Sequence, residues 1–124
     1  MQIIPLTADH ILSVWDRLPP TACHGIAVIE GDKLMGLAGV YPDEANQRLI
    51  LFSHIDEAGR ALLRQGKKCR VLMTASRQAM RIAGRWKVPV HAVADPAIPG
   101  SRNLLEHLKF KHYREDTFAW QPSL

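Results

Sequence analysis

A chain of 124 residues, 47% of them hydrophobic, can bury one core and is too short for two domains. Lys and Arg number 16 against 12 Asp and Glu, a formal charge of +4. That suits a polyanionic small-molecule ligand and is also within the ordinary range for soluble proteins. Cys23 and Cys69 form no C-x-x-C pair and have no matching His spacing, which argues against a structural zinc site and a disulfide framework. No apolar run reaches the roughly 18 residues of a membrane span. Met1-Gln2-Ile3-Ile4-Pro5 lacks the basic segment and apolar core of a signal peptide, so a cytoplasmic location with reduced thiols is expected.

Residues 2–6 read as a strand. Thr7 then caps a helix whose Ile11, Leu12, Trp15 and Leu18 share a face, ended by Pro19-Pro20. A hairpin follows: β-branched residues in 25–30, the turn signal Gly31-Asp32, and apolar residues with glycines in 33–40. Tyr41-Pro42-Asp43 reads as a break. The continuous apolar run in 48–53 predicts a central strand covered on both faces.

Residues 56–65 predict a short helix interrupted by Gly59, and 67–86 a stronger one. On the latter, Cys69, Leu72, Met73, Ser76, Met80 and Ala83 fall on the core side. Lys67, Arg70, Arg77, Arg81 and Arg85 fall roughly opposite. Residues 90–94 are a strand ending in a proline-rich loop. Ser101 caps a helix with Leu104, Leu105 and Leu108 inward, and 110–113 and 117–120 are closing strands. The order is strand, helix, three strands, helix, strand, helix, two strands. It predicts a single α/β domain over 1–124, a mixed central sheet (α+β in character) flanked by helices on both faces.

Three segments in this order carry a family likeness. Ile3-Ile4-Pro5-Leu6-Thr7-Ala8-Asp9-His10 is similar to an "I-R-P-x-T-x-x-D" opening. Met35-Gly36-Leu37-Ala38-Gly39-Val40 is similar to an "x-V-G-x-A-x-V" strand, and Ser101 to Phe110 to an "S-x-x-L-L-E-x-L-G-F" ending. Through them the chain resembles the GNAT superfamily of N-acetyltransferases, and within it small GNAT-like proteins of phages and prophages. The resemblance implies a GNAT-like fold and acetyl-CoA as cosubstrate. It also implies acetyl transfer to an amine whose identity no motif specifies, and, since family members often pair, a homodimer. Its alternative is a non-catalytic GNAT-fold phage or prophage protein, a binding or virion-associated component with a phage or host protein as partner.

The family holds the coenzyme pyrophosphate on a Q/R-x-x-G-x-G/A loop, where unpaired N–H groups and a helix N-terminus attract anionic oxygens. The matching place is Arg64-Gln65-Gly66-Lys67-Lys68-Cys69, with one glycine where the pattern has two. Gly66, Lys67 and Lys68 are the candidate phosphate contacts, and Arg64, Gln65 and Asn103 further candidates. The plainer alternative is that Gly66 only joins two helices and the lysines are solvated.

Acetyl transfer needs a base, a donor to polarise the thioester carbonyl and an acid for the leaving thiolate. The resemblance places the donor, a backbone N–H, near Phe52 or Ser53. His54 is the first candidate base, since histidine titrates near neutrality, with Asp56 and Glu57 able to act through water. A plainer reading has these three merely starting a helix. The family's acid, a tyrosine, maps to Leu105, which cannot donate a proton, and Tyr113 lies a few residues on. The histidines show no H-x-x-x-H ligand spacing, so no metal is inferred. The arginine row reads as a solvated helix face rather than a nucleic-acid surface, because no stacking aromatic pair or helix-turn-helix accompanies it. Trp86 and Trp120 are either a contact surface or packed residues.

Overall fold

A computed structural model describes residues 1–65, 69–94, 102, 105, 106 and 108–122. Its strands are β1 (Gln2–Pro5), β2 (His24–Glu30), β3 (Lys33–Asp43), β4 (Arg48–Ile55), β5 (Val90–Val93), β6 (Lys111–Arg114) and β7 (Thr117–Trp120). Its helices are α1 (Ala8–Leu12), α2 (Glu57–Gln65) and α3 (Cys69–Ala83). The strands form one mixed sheet in the order β1-β2-β3-β4-β5-β7-β6. β4 and β5 run parallel, and every other neighbouring pair is antiparallel. The fold is thus a mixed α+β domain. No helix among the described residues is long and apolar enough to cross a membrane.

The period of two along each strand divides the side chains between two faces. Ile26, Ala38, Val40, Leu49, Leu51, Val90, Ala92 and Phe118 share one face through the registers Ile26↔Ala38, Val40↔Leu51, Leu49↔Val90 and Ala92↔Phe118. On that face lie Ala75, Ala79, Met80 and Ala83 of α3, completing the core. Small residues on α3 let it lie close to the sheet, and full burial of Phe118 or Leu49 contributes about 2 kcal/mol each. The other face carries Gly39, Tyr41, Ile50, Phe52 and His54, covered in its middle by α1, where Ile11 is buried, and by Trp15 in the segment after it.

Several boundaries differ from the sequence expectation. The first helix stops at Leu12 rather than Leu18, because the Ser13 hydroxyl donates to the His10 carbonyl at 2.6 Å and competes with the next turn. Its start is as expected: Thr7 accepts from the His10 N–H, and His10 Nδ1 accepts from the Thr7 N–H at 3.0 Å. Tyr41-Pro42-Asp43 does not break β3. Pairing continues through Pro42↔Leu49, and Pro42 lies beyond the last β2–β3 pair, His24↔Val40, on the side where no ladder bond is needed. β4 continues past Ser53 to Ile55.

Gly59 does not interrupt α2. A Cβ there would stand 2.5 Å from the Met35 carbonyl oxygen, so glycine is what lets α2 lie directly on β3. The 67–86 helix is Cys69–Ala83 followed by a 3-10 turn, Gly84–Trp86. Of the expected core side, Met80 and Ala83 are buried and Met73 and Ser76 half-buried, the side chains of Cys69 and Leu72 lying outside the described ones; Ala75 and Ala79 are buried as well, and Val71 and Ile82 half-buried. Arg70, Arg77, Arg81 and Arg85 are exposed, as expected. The helix expected after Ser101 lies mostly outside the described residues; Arg102, Leu105 and Glu106 within it are helical, and Leu105 is buried. Trp86 and Trp120 are half-buried and pack on the core.

Candidate functional site

The parallel pair β4–β5 is short. Only Leu49, Leu51 and the intervening Ile50 align with Val90, Ala92 and His91, although β4 runs four residues further. Beyond that point β5 turns away, its Val93 pairing with Thr117 of β7 and standing 70% exposed. Two bonds fix which way the β4 peptides point. The Leu49 N–H donates to the Pro89 carbonyl on the β5 side at 2.9 Å, and the Asp56 N–H donates to the Met35 carbonyl on the β3 side at 3.0 Å. By alternation, the Ser53 and Ile55 peptides face β5's side and the Phe52 peptide faces β3. The Ile55 carbonyl accepts from Arg60 Nε at 3.1 Å. Among the described residues no strand pairs with Ser53 on the β5 side.

The side chains of Phe52 and His54 project to the face away from α3. Phe52 lies over Gly39, where an added Cβ would stand 2.7 Å from the ring. Trp15 meets both edge-on, its centroid 5.7 Å from Phe52 and 6.1 Å from His54. Tyr41 flanks Phe52 at 6.0 Å. The rings of Trp15, Phe52 and Tyr41, with Ile11, Leu18 and Pro19, border a mainly apolar cavity of about 260 Å³ that Arg17 also lines.

The remaining candidates are dispersed. Asp56 and Glu57 begin α2, and no hydrogen bond joins either to His54; Asp56 is half-buried and Glu57 exposed. With the Asp56 N–H committed to Met35 and two carboxylates at its start, this helix terminus is no anion cradle. Arg64 and Gln65 close α2, so all nine residues of that helix separate β4 from the Gly66 segment. Gly66, Lys67, Lys68 and Asn103 lie outside the described residues. Tyr113 on β6 is 59% exposed, its ring 5.1 Å from that of His91 and under the Arg114 guanidinium.

One cluster escaped the sequence reading. Arg48 Nε donates to Asp43 Oδ2 at 2.9 Å, Asn46 Nδ2 donates to the same oxygen at 2.9 Å, and the other end of Arg48 meets His91 Nδ1 at 3.0 Å. Since arginine can only donate, His91 Nδ1 is the acceptor and the ring is neutral in this arrangement. Burial, and then the Arg48 charge, push the His91 pKa down, opposed by Asp43. Hydrogen bonds from Asn46 and then Arg48 hold the Asp43 carboxyl below its ordinary range. The cluster borders a second cavity of about 450 Å³, with Tyr41 and Pro20 common to both cavities. No sequence signal links Arg48 to His91; the pairing Ile50↔His91 creates the contact.

No family model and no curated protein sequence matches this chain.

Proposed function

We propose that this chain is a GNAT-type domain that binds acetyl-CoA where β4 and β5 separate and transfers the acetyl group to an amine. The strand order, with its single parallel pair at β4–β5, supports a GNAT-like fold. The observation that carries the functional reading is the Ser53 peptide at that separation, which no strand pairs on the β5 side among the described residues. Its N–H can donate to a thioester carbonyl, stabilising the oxyanion that forms when an amine attacks, and a bound coenzyme would itself exclude water from this exposed site. The attacking amine gives a proton to His54 or to water, and the coenzyme leaves as a thiol after protonation. The cavity under Trp15 and Phe52, reached from His54 across the Trp15 ring, suits an acceptor with an apolar portion next to its amine. Lys67 and Lys68 supply positive charge for the pyrophosphate, and Gly66 a backbone N–H.

A second reading is favoured by two observations: α2 separates the glycine segment from β4, and Leu105 occupies the core where the family has its acid. On that reading the domain is a non-catalytic GNAT-like phage or prophage component. Calorimetric titration with acetyl-CoA and CoA, followed by a thiol-release assay over a broad amine panel, separates the two. Binding with turnover supports transfer, binding without turnover supports the second reading, and no heat at about millimolar ligand removes the acetyl-CoA proposal.

A further inference from the structure

We infer that the outer side of α3, where it meets β7, is a binding groove for single-stranded nucleic acid. Arg77 and Arg81 of α3 and Arg85 of the 3-10 turn that continues it follow one another at four-residue intervals, and all three are exposed. Four residues of helix advance about 6 Å, close to the step between successive phosphates of an extended strand. None of the three makes an ion pair with a described residue; the described ion pairs are Arg48–Asp43 and Arg102–Glu106.

The fold adds what the arginine row lacked in the sequence. The 3-10 turn after α3 ends with Lys87 in the left-handed region, φ 55°, which brings a fourth cation to the end of the row. Trp120 of β7 reaches the same place, its indole edge 3.5 Å from where a Cβ on Gly84 would be. Together these residues border an open groove of about 440 Å³, with no acidic side chain on its walls among the described residues. A row of guanidinium groups beside an aromatic surface is the arrangement that tracks a phosphate backbone while a base stacks. A base must be unpaired to reach an indole set into a groove, so the favoured ligand is a single strand rather than a duplex. The groove lies by the N-terminal end of β5, whereas the proposed coenzyme gap lies at the C-terminal ends of β4 and β5, so the two ligands would not compete.

The test is fluorescence anisotropy of a labelled oligo(dT) of about 20 nucleotides, titrated with the full chain at several salt concentrations. Three to four phosphate contacts predict a log–log salt slope of about −2 to −3, which becomes shallower by about 0.7 in Arg81→Ala. Arg77→Ala/Arg81→Ala/Arg85→Ala abolishes binding with the thermal midpoint little changed, since all three residues are exposed. Trp120→Leu weakens the oligonucleotide about tenfold but leaves inorganic polyphosphate unaffected. Acetyl-CoA does not displace the oligonucleotide. The inference is overturned by no anisotropy change at about 100 μM protein in low salt. It is equally overturned if the triple variant binds like the parent, or if polyglutamate or duplex DNA binds as tightly as the single strand.

Discussion

The indole of Trp15 stands edge-on to the ring of Phe52, with centroids 5.7 Å apart and planes at 82°. With the edge-on contact of Trp15 to His54, it fastens the irregular segment after α1 to the central strand, and it forms part of the wall of the 260 Å³ cavity. An edge-to-face pair is worth about 1 kcal/mol beyond the area it buries. A double-mutant cycle of Trp15→Ala and Phe52→Ala, read by urea unfolding, should therefore give a coupling of about 1 kcal/mol. Strict additivity would mean that the two rings do not interact.

Gly59→Ala should reverse the usual sign. In an exposed helix interior alanine is better than glycine by about 1 kcal/mol. Here the new methyl meets the Met35 carbonyl oxygen at 2.5 Å, forcing α2 off β3 and straining the Asp56 N–H to Met35 bond. A loss of about 1–3 kcal/mol is expected, as for overpacking in a tight site. A gain in denaturation midpoint would contradict the close contact.

Stability should fall on mild acidification through His91. Its pKa is lowered in the folded chain from an ordinary 6.5, so the unfolded chain takes up the proton first as pH falls. The contribution is full above about pH 6.5 and is lost as pH falls through the lower folded value. Asp43, also lowered, contributes above its ordinary 3.8, and that contribution goes at stronger acidity as its folded value is passed. Urea midpoints measured from about pH 8 to 5 should decline less steeply in His91→Asn than in the parent. Equal slopes would rule out His91 as the source.

If the Gly66 segment holds phosphates, Lys67→Glu/Lys68→Glu weakens CoA at least tenfold and leaves phosphate-free acetyl-pantetheine unchanged. His54→Gln keeps acetyl-CoA affinity and lowers kcat by about 10²-fold or more, the usual contribution of a general base. An unaltered kcat would move the base elsewhere or leave it to water.

The parts of the fold that the sequence made legible are those set by period and punctuation. The Gly31-Asp32 hairpin, the Thr7 cap and the exposed arginines of α3 all follow from local rules. Where neighbours decide, local rules fell short. Pro42 stays in β3 only because β2 has already ended, and Gly59 stays in α2 only because β3 lies beneath it. The core stripe of α3 is set by Met35, Ile26 and Val28 below it, which draw in Val71, Ala75 and Ala79. Of the candidate site, His54 and Phe52 were within reach of the alternation rule. The Asp43–Arg48–His91 chain was not, because its contacts join strands far apart in sequence.

Acetyl-CoA binding between β4 and β5 is the central claim, and amide chemical-shift mapping during titration with acetyl-CoA tests it most directly. The largest shifts should fall on the N–H groups of Ser53, Ile55 and Val93, with little change at Phe52, whose peptide faces β3, or at Ala94, whose N–H donates to the Asp116 carbonyl at 2.8 Å. Shifts absent at saturating ligand, or confined to residues remote from the β4–β5 separation, would contradict it.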